Sequence, residues 1–156
     1  MKSDYLDFYN NLIKLTTNKS LYKNVSNKQD NFSDRLTLFL LHFAFILKEF
    51  KNDKNEKKLQ ELYDFNFRQL ELSIREIGYG DQSINKKMKI YINLFHSIIS
   101  EIHFWNELEF IKKKEVISKL LQNFENIEYL VHYFNNFQEH LSKNNLNSYL
   151  KSVSSH

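Results

Sequence analysis

The chain owns only two glycines, Gly78 and Gly80, both inside one short turn, and no proline at all. Those are the residues that stop helices and make the corners of hairpins. Away from that turn, nothing in 156 residues forces a helix to end. This argues against an all-β fold and excludes collagen-like and Pro-rich chains. The length is that of a single domain, large enough to bury about two-thirds of its unfolded surface and build its own core. Cysteine is absent, so there are no disulfides, thiolate nucleophiles or Cys-ligated metals, and a cytoplasmic address is favoured.

The apolar spacing fills in the helices. Asp4 to Thr16 carries a helical stripe (Tyr5, Phe8, Tyr9, Leu12, Ile13, Leu15), and 18–31 reads as an irregular arm anchored by Leu21, Tyr22 and Val25. A helix capped by Ser33 or Asn31 runs to about Lys51. Its positions Leu36, Leu40, Phe43, Leu47 and Phe50 follow a 4-3-4-3 rhythm, with further apolar residues filling the other faces. A helix apolar nearly all round belongs at the centre. Ala44, the only alanine, is expected where another helix crosses closely. Lys57 to Ile77 forms the next helix, with Asp64–Arg68 and Glu71–Arg75 as i,i+4 ion pairs. Gly78 is its left-handed cap, and Asp81 or Ser83 caps a helix that runs to about Asn106. Lys113 to Phe124, and Ile127 to Leu141 capped by Asn126, complete the pattern, and Leu146 to Val153 adds a short turn. The expectation is one all-α, single-domain bundle of about six helices. Residues 1–31 supply the N-terminal helix and arm, 32–142 the helical core, and 143–156 a short helix or frayed tail.

Chemistry is sparse. His96 and His103 are seven apart and His132 and His140 eight apart, and about 10–12 Å of helix rise separates each pair, too far for one metal. Phosphate loops need more glycines than the chain has, and no nucleophile elbow occurs. No catalytic residue, cofactor or metal is therefore expected. His42, in the apolar centre of the second helix, leaves two readings open: a satisfied core histidine, or a contact to a ligand or partner. Lys86, Lys87 and Lys89, and Lys112 to Lys114, are either solvated or placed to meet phosphate in RNA or lipid headgroups. A net charge of +3 is too small for a DNA-binding domain. Tyr79, Phe104 and Trp105 are expected to lie exposed and meet an apolar partner. The first residues, Met1 to Tyr5, carry no apolar signal core. The most apolar run, Leu36 to Leu47, falls short of the ~20 residues that span a bilayer. A soluble protein able to attach to a membrane surface is expected.

Rarity singles out one more set. Arginine occurs only as Arg35, Arg68 and Arg75, and an arginine kept in so lysine-rich a chain is expected to use its planar five-donor fork. Three ordered segments carry a resemblance. They are Arg35 to His42 (Arg-Leu-Thr-Leu-Phe-Leu-Leu-His), Leu62-Tyr63-Asp64, and Ile74-Arg75-Glu76-Ile77-Gly78-Tyr79-Gly80-Asp81, the last followed by Ile84, Lys86, Lys87 and Lys89. From Arg35 to about Phe95 the chain resembles the ubiquinol–cytochrome c chaperone family, assembly factors for cytochrome b of the respiratory bc1 complex. It departs from the family pattern at Gln69 and Glu71, at Asn85 in place of a proline, and at His96-Ser97-Ile98, and the C-terminal third matches weakly.

The resemblance implies a non-enzymatic chaperone that holds newly made cytochrome b, or another bc1 subunit, at the membrane. A membrane surface, the ribosome and a second assembly factor are the further partners it implies, and the location is cytoplasmic or peripheral on the inner membrane. The residues it points to as partner-binding are Arg35, His42, Arg75, Glu76, Gly78, Tyr79, Gly80, Asp81, Lys86, Lys87 and Lys89. In that scheme Arg75, Glu76 and Asp81 brace the Gly78–Gly80 turn, displaying Tyr79 beside the lysines, and Gly80 is indispensable. The competing reading is a helical pocket for a small apolar ligand such as a quinone or isoprenoid, contacted by His42 or Tyr91. An internal cavity beside His42 would favour that reading, and a solid core with an apolar surface groove would favour the chaperone. RNA binding through the lysines is a third.

Overall fold

The computed structural model describes residues 2–22 and 32–154. The expected anchor Val25 and the alternative cap Asn31 lie outside the described residues. Among the described residues seven α-helices follow one another: α1 (Lys2–Thr16), α2 (Phe32–Phe50), α3 (Glu56–Ile77), α4 (Asp81–Ile102), α5 (Phe110–Leu120), α6 (Ile127–Ser142) and α7 (Leu146–Ser154). Short 3₁₀ turns occupy Lys19–Tyr22 and Trp105–Glu107.

The all-round apolar character of α2 makes it the axle. Every side chain from Leu36 to Ile46 is buried, and α1, α4 and α6 pack around it. Aromatic rings fix each of these neighbours. Phe8 of α1 meets Phe43 edge-on, Phe95 of α4 stacks on Phe43 at 5.2 Å, and Phe134 of α6 stacks on Phe45 at 5.2 Å. Offset or edge-on ring pairs of this kind contribute about 0.5–1.5 kcal/mol each beyond the area they bury. α3 lies against α1 and α4, and α5 against α6 and α4.

The C-terminal segment is more than a turn. α7 is a full helix whose Leu146, Tyr149 and Leu150 are buried. Phe8 meets the Tyr149 ring edge-on, and Asn11 Nδ2 donates to the Tyr149 hydroxyl at 3.0 Å. This contact between α1 and α7 supplies the tertiary packing that the short apolar pattern alone did not reveal. α5 is displaced from its expected span: it starts at Phe110 and ends at Leu120, because Leu121 leaves helical geometry (φ −122°, ψ 70°) to bury its side chain. Of the two expected i,i+4 pairs, Glu71–Arg75 forms at 3.5 Å. Asp64 instead accepts a hydrogen bond from Gln60 Nε2 at 3.0 Å.

Candidate functional site

Two surfaces of the α3–α4 hairpin hold most of the residues of interest, one at each end. Each of its helices has 22 residues, about 33 Å of length at 1.5 Å per residue.

At the first end, Gly78 ends α3 in the left-handed region (φ 106°, ψ 13°), and its N–H caps the Arg75 carbonyl at 2.9 Å. Any L-residue would be strained there. Gly80 is different. Its backbone is extended (φ −75°, ψ 161°), and a Cβ placed on it would meet nothing within 4 Å. The backbone of the turn demands glycine at 78 alone, so any need for Gly80 lies in what the turn binds and not in its folding. Gly78→Val should lower stability by about 1–2 kcal/mol, whereas Gly80→Val should stay within about 0.5 kcal/mol of wild type. Urea unfolding of the two variants measures the difference.

Across the turn, Arg75 uses its fork as its rarity suggested: Nη1 reaches Asp81 Oδ1 at 2.5 Å and Nε reaches Glu71 at 3.5 Å. The Asp81 hydrogen bond, more than any other cause, raises the guanidinium pKa above its ordinary value. The pair is exposed, so it clips the turn in place and adds little stability. Asp81 is thereby drawn away from the capping role expected of it, and α4 starts without a side-chain cap. Glu76 is exposed and takes no part in the brace. Lys87 Nζ sits 4.6 Å from the centre of the exposed Tyr79 ring, and Lys86 and Lys89 are exposed. Arg75, Gly78, Tyr79, Gly80, Asp81 and Lys87 are thus brought together. Arg35 is exposed on the first turn of α2, where Phe32 packs against Tyr91, about 15 Å along α4 from Asp81.

The second lysine run is used internally. Lys112 and Lys114 pair with Glu115 and Glu128, and Lys113 donates to Asn135 at 2.9 Å while lying over the Trp105 ring. Burial lowers the Lys113 pKa. Trp105 is fully buried, edge-on to Phe45, with its indole N–H on Asn135 at 2.9 Å. This corrects its expected exposure; Phe104 beside it is exposed.

His42 is also no surface contact. It is fully buried against Tyr133, Phe134 and Phe137. Nδ1 lies 2.7 Å from the Leu38 carbonyl, which can only accept, so Nδ1 carries the proton and Nε2 accepts from the Tyr133 hydroxyl, also at 2.7 Å. Burial pushes its pKa down to about 4. Both ring nitrogens are satisfied and none of the imidazole is open to a partner, which corrects its place among the partner-binding residues. A shallow depression of about 280 Å³ beside Tyr133 and Phe137 does not reach it.

At the other end of the hairpin lies a groove of about 1040 Å³ between the end of α2, the start of α3 and the end of α4. Ala44, Leu47, Leu59, Tyr63 and Ile99 give it a buried or half-buried apolar lining. Lys48, Lys51, Asp53, Glu56, His96 and His103 supply a polar rim. Ala44, the residue singled out for its size, lies in this floor. Leu47 reads in sequence as one beat of the apolar rhythm of α2, because a groove shared by three helices leaves no mark on any one of them. Among the described residues, no group of three or more His, Asp or Glu is placed to hold a metal ion.

The family model described as ubiquinol-cytochrome C chaperone matches residues 24–103, about half of the chain. No curated protein and no solved structure matches the chain. The matched segment contains the Gly78 turn and every residue that lines the groove.

Proposed function

The chain belongs to the ubiquinol–cytochrome c chaperone family, and from that premise we propose that it holds newly made cytochrome b of the bc1 complex, without catalysis, until haem and partner subunits arrive. The observation that carries this reading is the groove, built wholly within the segment that matches the family. A membrane subunit waiting for its partners exposes apolar helix faces. A groove with an apolar floor and a polar rim takes up a few apolar side chains while its edges stay wetted. Each side chain so buried contributes about 1.5–3 kcal/mol gross, less the cost of ordering the client. That is enough to hold a client and weak enough to let a permanent subunit displace it.

The turn end supplies the remaining contacts. Tyr79, Glu76, Lys86 and Lys89 are exposed there and Lys87 is half-buried over the Tyr79 ring, and Arg75, Gly78 and Asp81 fix their positions. Arg35 meets a partner from α2, and the ribosome and a second assembly factor are the other partners of this scheme. Among the described residues no helix is long and apolar enough to cross a membrane. A quinone or isoprenoid pocket at His42 draws no support from the closed packing around that ring.

The test is a pull-down of the tagged chain from detergent-solubilised membranes. Cytochrome b should co-purify with wild type and be lost with Leu47→Glu and with Ile99→Glu, both half-buried lining positions, while helicity stays unchanged. Undiminished cytochrome b with both variants would remove the groove from the mechanism. Its absence from the wild-type pull-down would remove cytochrome b as the client.

A further inference from the structure

We propose that the corner made by the end of α3, the Gly78 turn and the first turns of α4 docks on an anionic lipid bilayer. Lys86, Lys87 and Lys89 lie in the second and third turns of α4. None of them is ion-paired among the described residues. Between Asp81 and Glu101 the sequence of α4 contains no acid, so nothing on their own helix face neutralises them. Glu76 is the exposed acid on the neighbouring helix end. A cluster of cations without acidic partners attracts an external anion.

The residues around the lysines decide which anion. Ile90, one turn beyond Lys86 on the same face, is 55% exposed, and Ile77 at the end of α3 is 65% exposed. Tyr79 is 44% exposed and carries Lys87 over its ring. Exposed aliphatic side chains interleaved with lysines, with an amphipathic tyrosine among them, match a bilayer interface, where the apolar groups enter the acyl boundary and the ammoniums meet headgroup phosphate. An RNA surface would instead call for stacking rings or guanidinium planes, and the arginine at this corner is already engaged by Glu71 and Asp81. The inference deepens the reading above by assigning the contacts of the turn end to lipid, and its test needs the purified chain alone, so it can fail while the groove and its client stand.

Flotation of the purified full chain with phosphatidylcholine vesicles, with and without phosphatidylglycerol, tests it. The chain should float only with the anionic vesicles, and less so as salt rises. The triple variant Lys86→Gln, Lys87→Gln, Lys89→Gln should bind them roughly 100-fold more weakly. Ile77→Ser with Ile90→Ser should weaken binding about tenfold, and Lys112→Gln with Lys114→Gln should change nothing. All these positions are exposed or half-buried, so circular dichroism should match wild type throughout. Equal flotation with neutral vesicles, indifference to the lysine triple, or stronger binding to single-stranded RNA than to the anionic vesicles would each overturn the proposal.

Discussion

Phe95→Ala should lower the stability of the fold by about 3–5 kcal/mol, the largest effect expected of any single change near the groove. Phe95 is fully buried, stacks on Phe43 of α2, and is edge-on to Phe67 and tilted against Tyr63 of α3. It is therefore the ring through which three helices meet. Truncation leaves a cavity that these stiff neighbours cannot refill. At about 2–4 °C per kcal/mol for a chain of this size, the melting temperature should fall by about 10 °C. Phe104→Ala, at a 63% exposed position, should change stability by no more than about 0.5 kcal/mol. Thermal and urea unfolding of both variants provide the comparison, and a loss at Phe95 below about 1 kcal/mol would show that α3 and α4 do not depend on this joint. Tyr63 also lines the groove, and His96 follows Phe95 in sequence, so the same variant should lose whatever the groove holds.

How far the sequence alone revealed this arrangement depends on the distance over which each feature is encoded. The 4-3-4-3 rhythm of α2 and the apolar residues between its beats sufficed to place that helix at the centre, because burial on all faces is written into one contiguous stretch. Gly78 was legible for the same reason: a helix cap is local, and scarcity of glycine removed the competing explanations. Which of the two glycines has the positive φ was not legible, because scarcity argues that a residue is used without showing which neighbour the backbone needs. Trp105 and Lys113 could not be placed, since their partner Asn135 comes from α6, and no spacing within α4 or α5 points to it. The groove was the least legible feature, its apolar residues being indistinguishable in sequence from core until three helices are laid side by side. The open alternatives at His42 were decided by Tyr133, 91 residues away.

The burial of His42 has a measurable consequence in acid. An unfolded histidine titrates near 6.5, whereas burial holds folded His42 down at about 4. Below 6.5 the unfolded chain therefore binds a proton that the folded chain refuses, so stability falls as pH drops from 6.5 to about 4 and is flat for this group above that window. The full difference is about 3 kcal/mol. Hydrogen bonding does not set the penalty, since a protonated Nε2 could donate to the Tyr133 oxygen where the neutral one accepts. The penalty comes from placing a charge among Phe134, Phe137 and the α2 core. Burial also raises the Tyr133 hydroxyl pKa above its ordinary value, so it stays protonated across this range. His42→Leu should lose the histidine-dependent part of the acid slope, whatever its baseline stability, while Tyr133→Phe should keep the slope and lower stability by about 1–3 kcal/mol by leaving Nε2 unsatisfied. Denaturant unfolding between pH 7 and 4 reads both, and parallel pH profiles for wild type and His42→Leu would mean that the imidazole is hydrated after all and that the centre of α2 is less tightly closed than its packing implies.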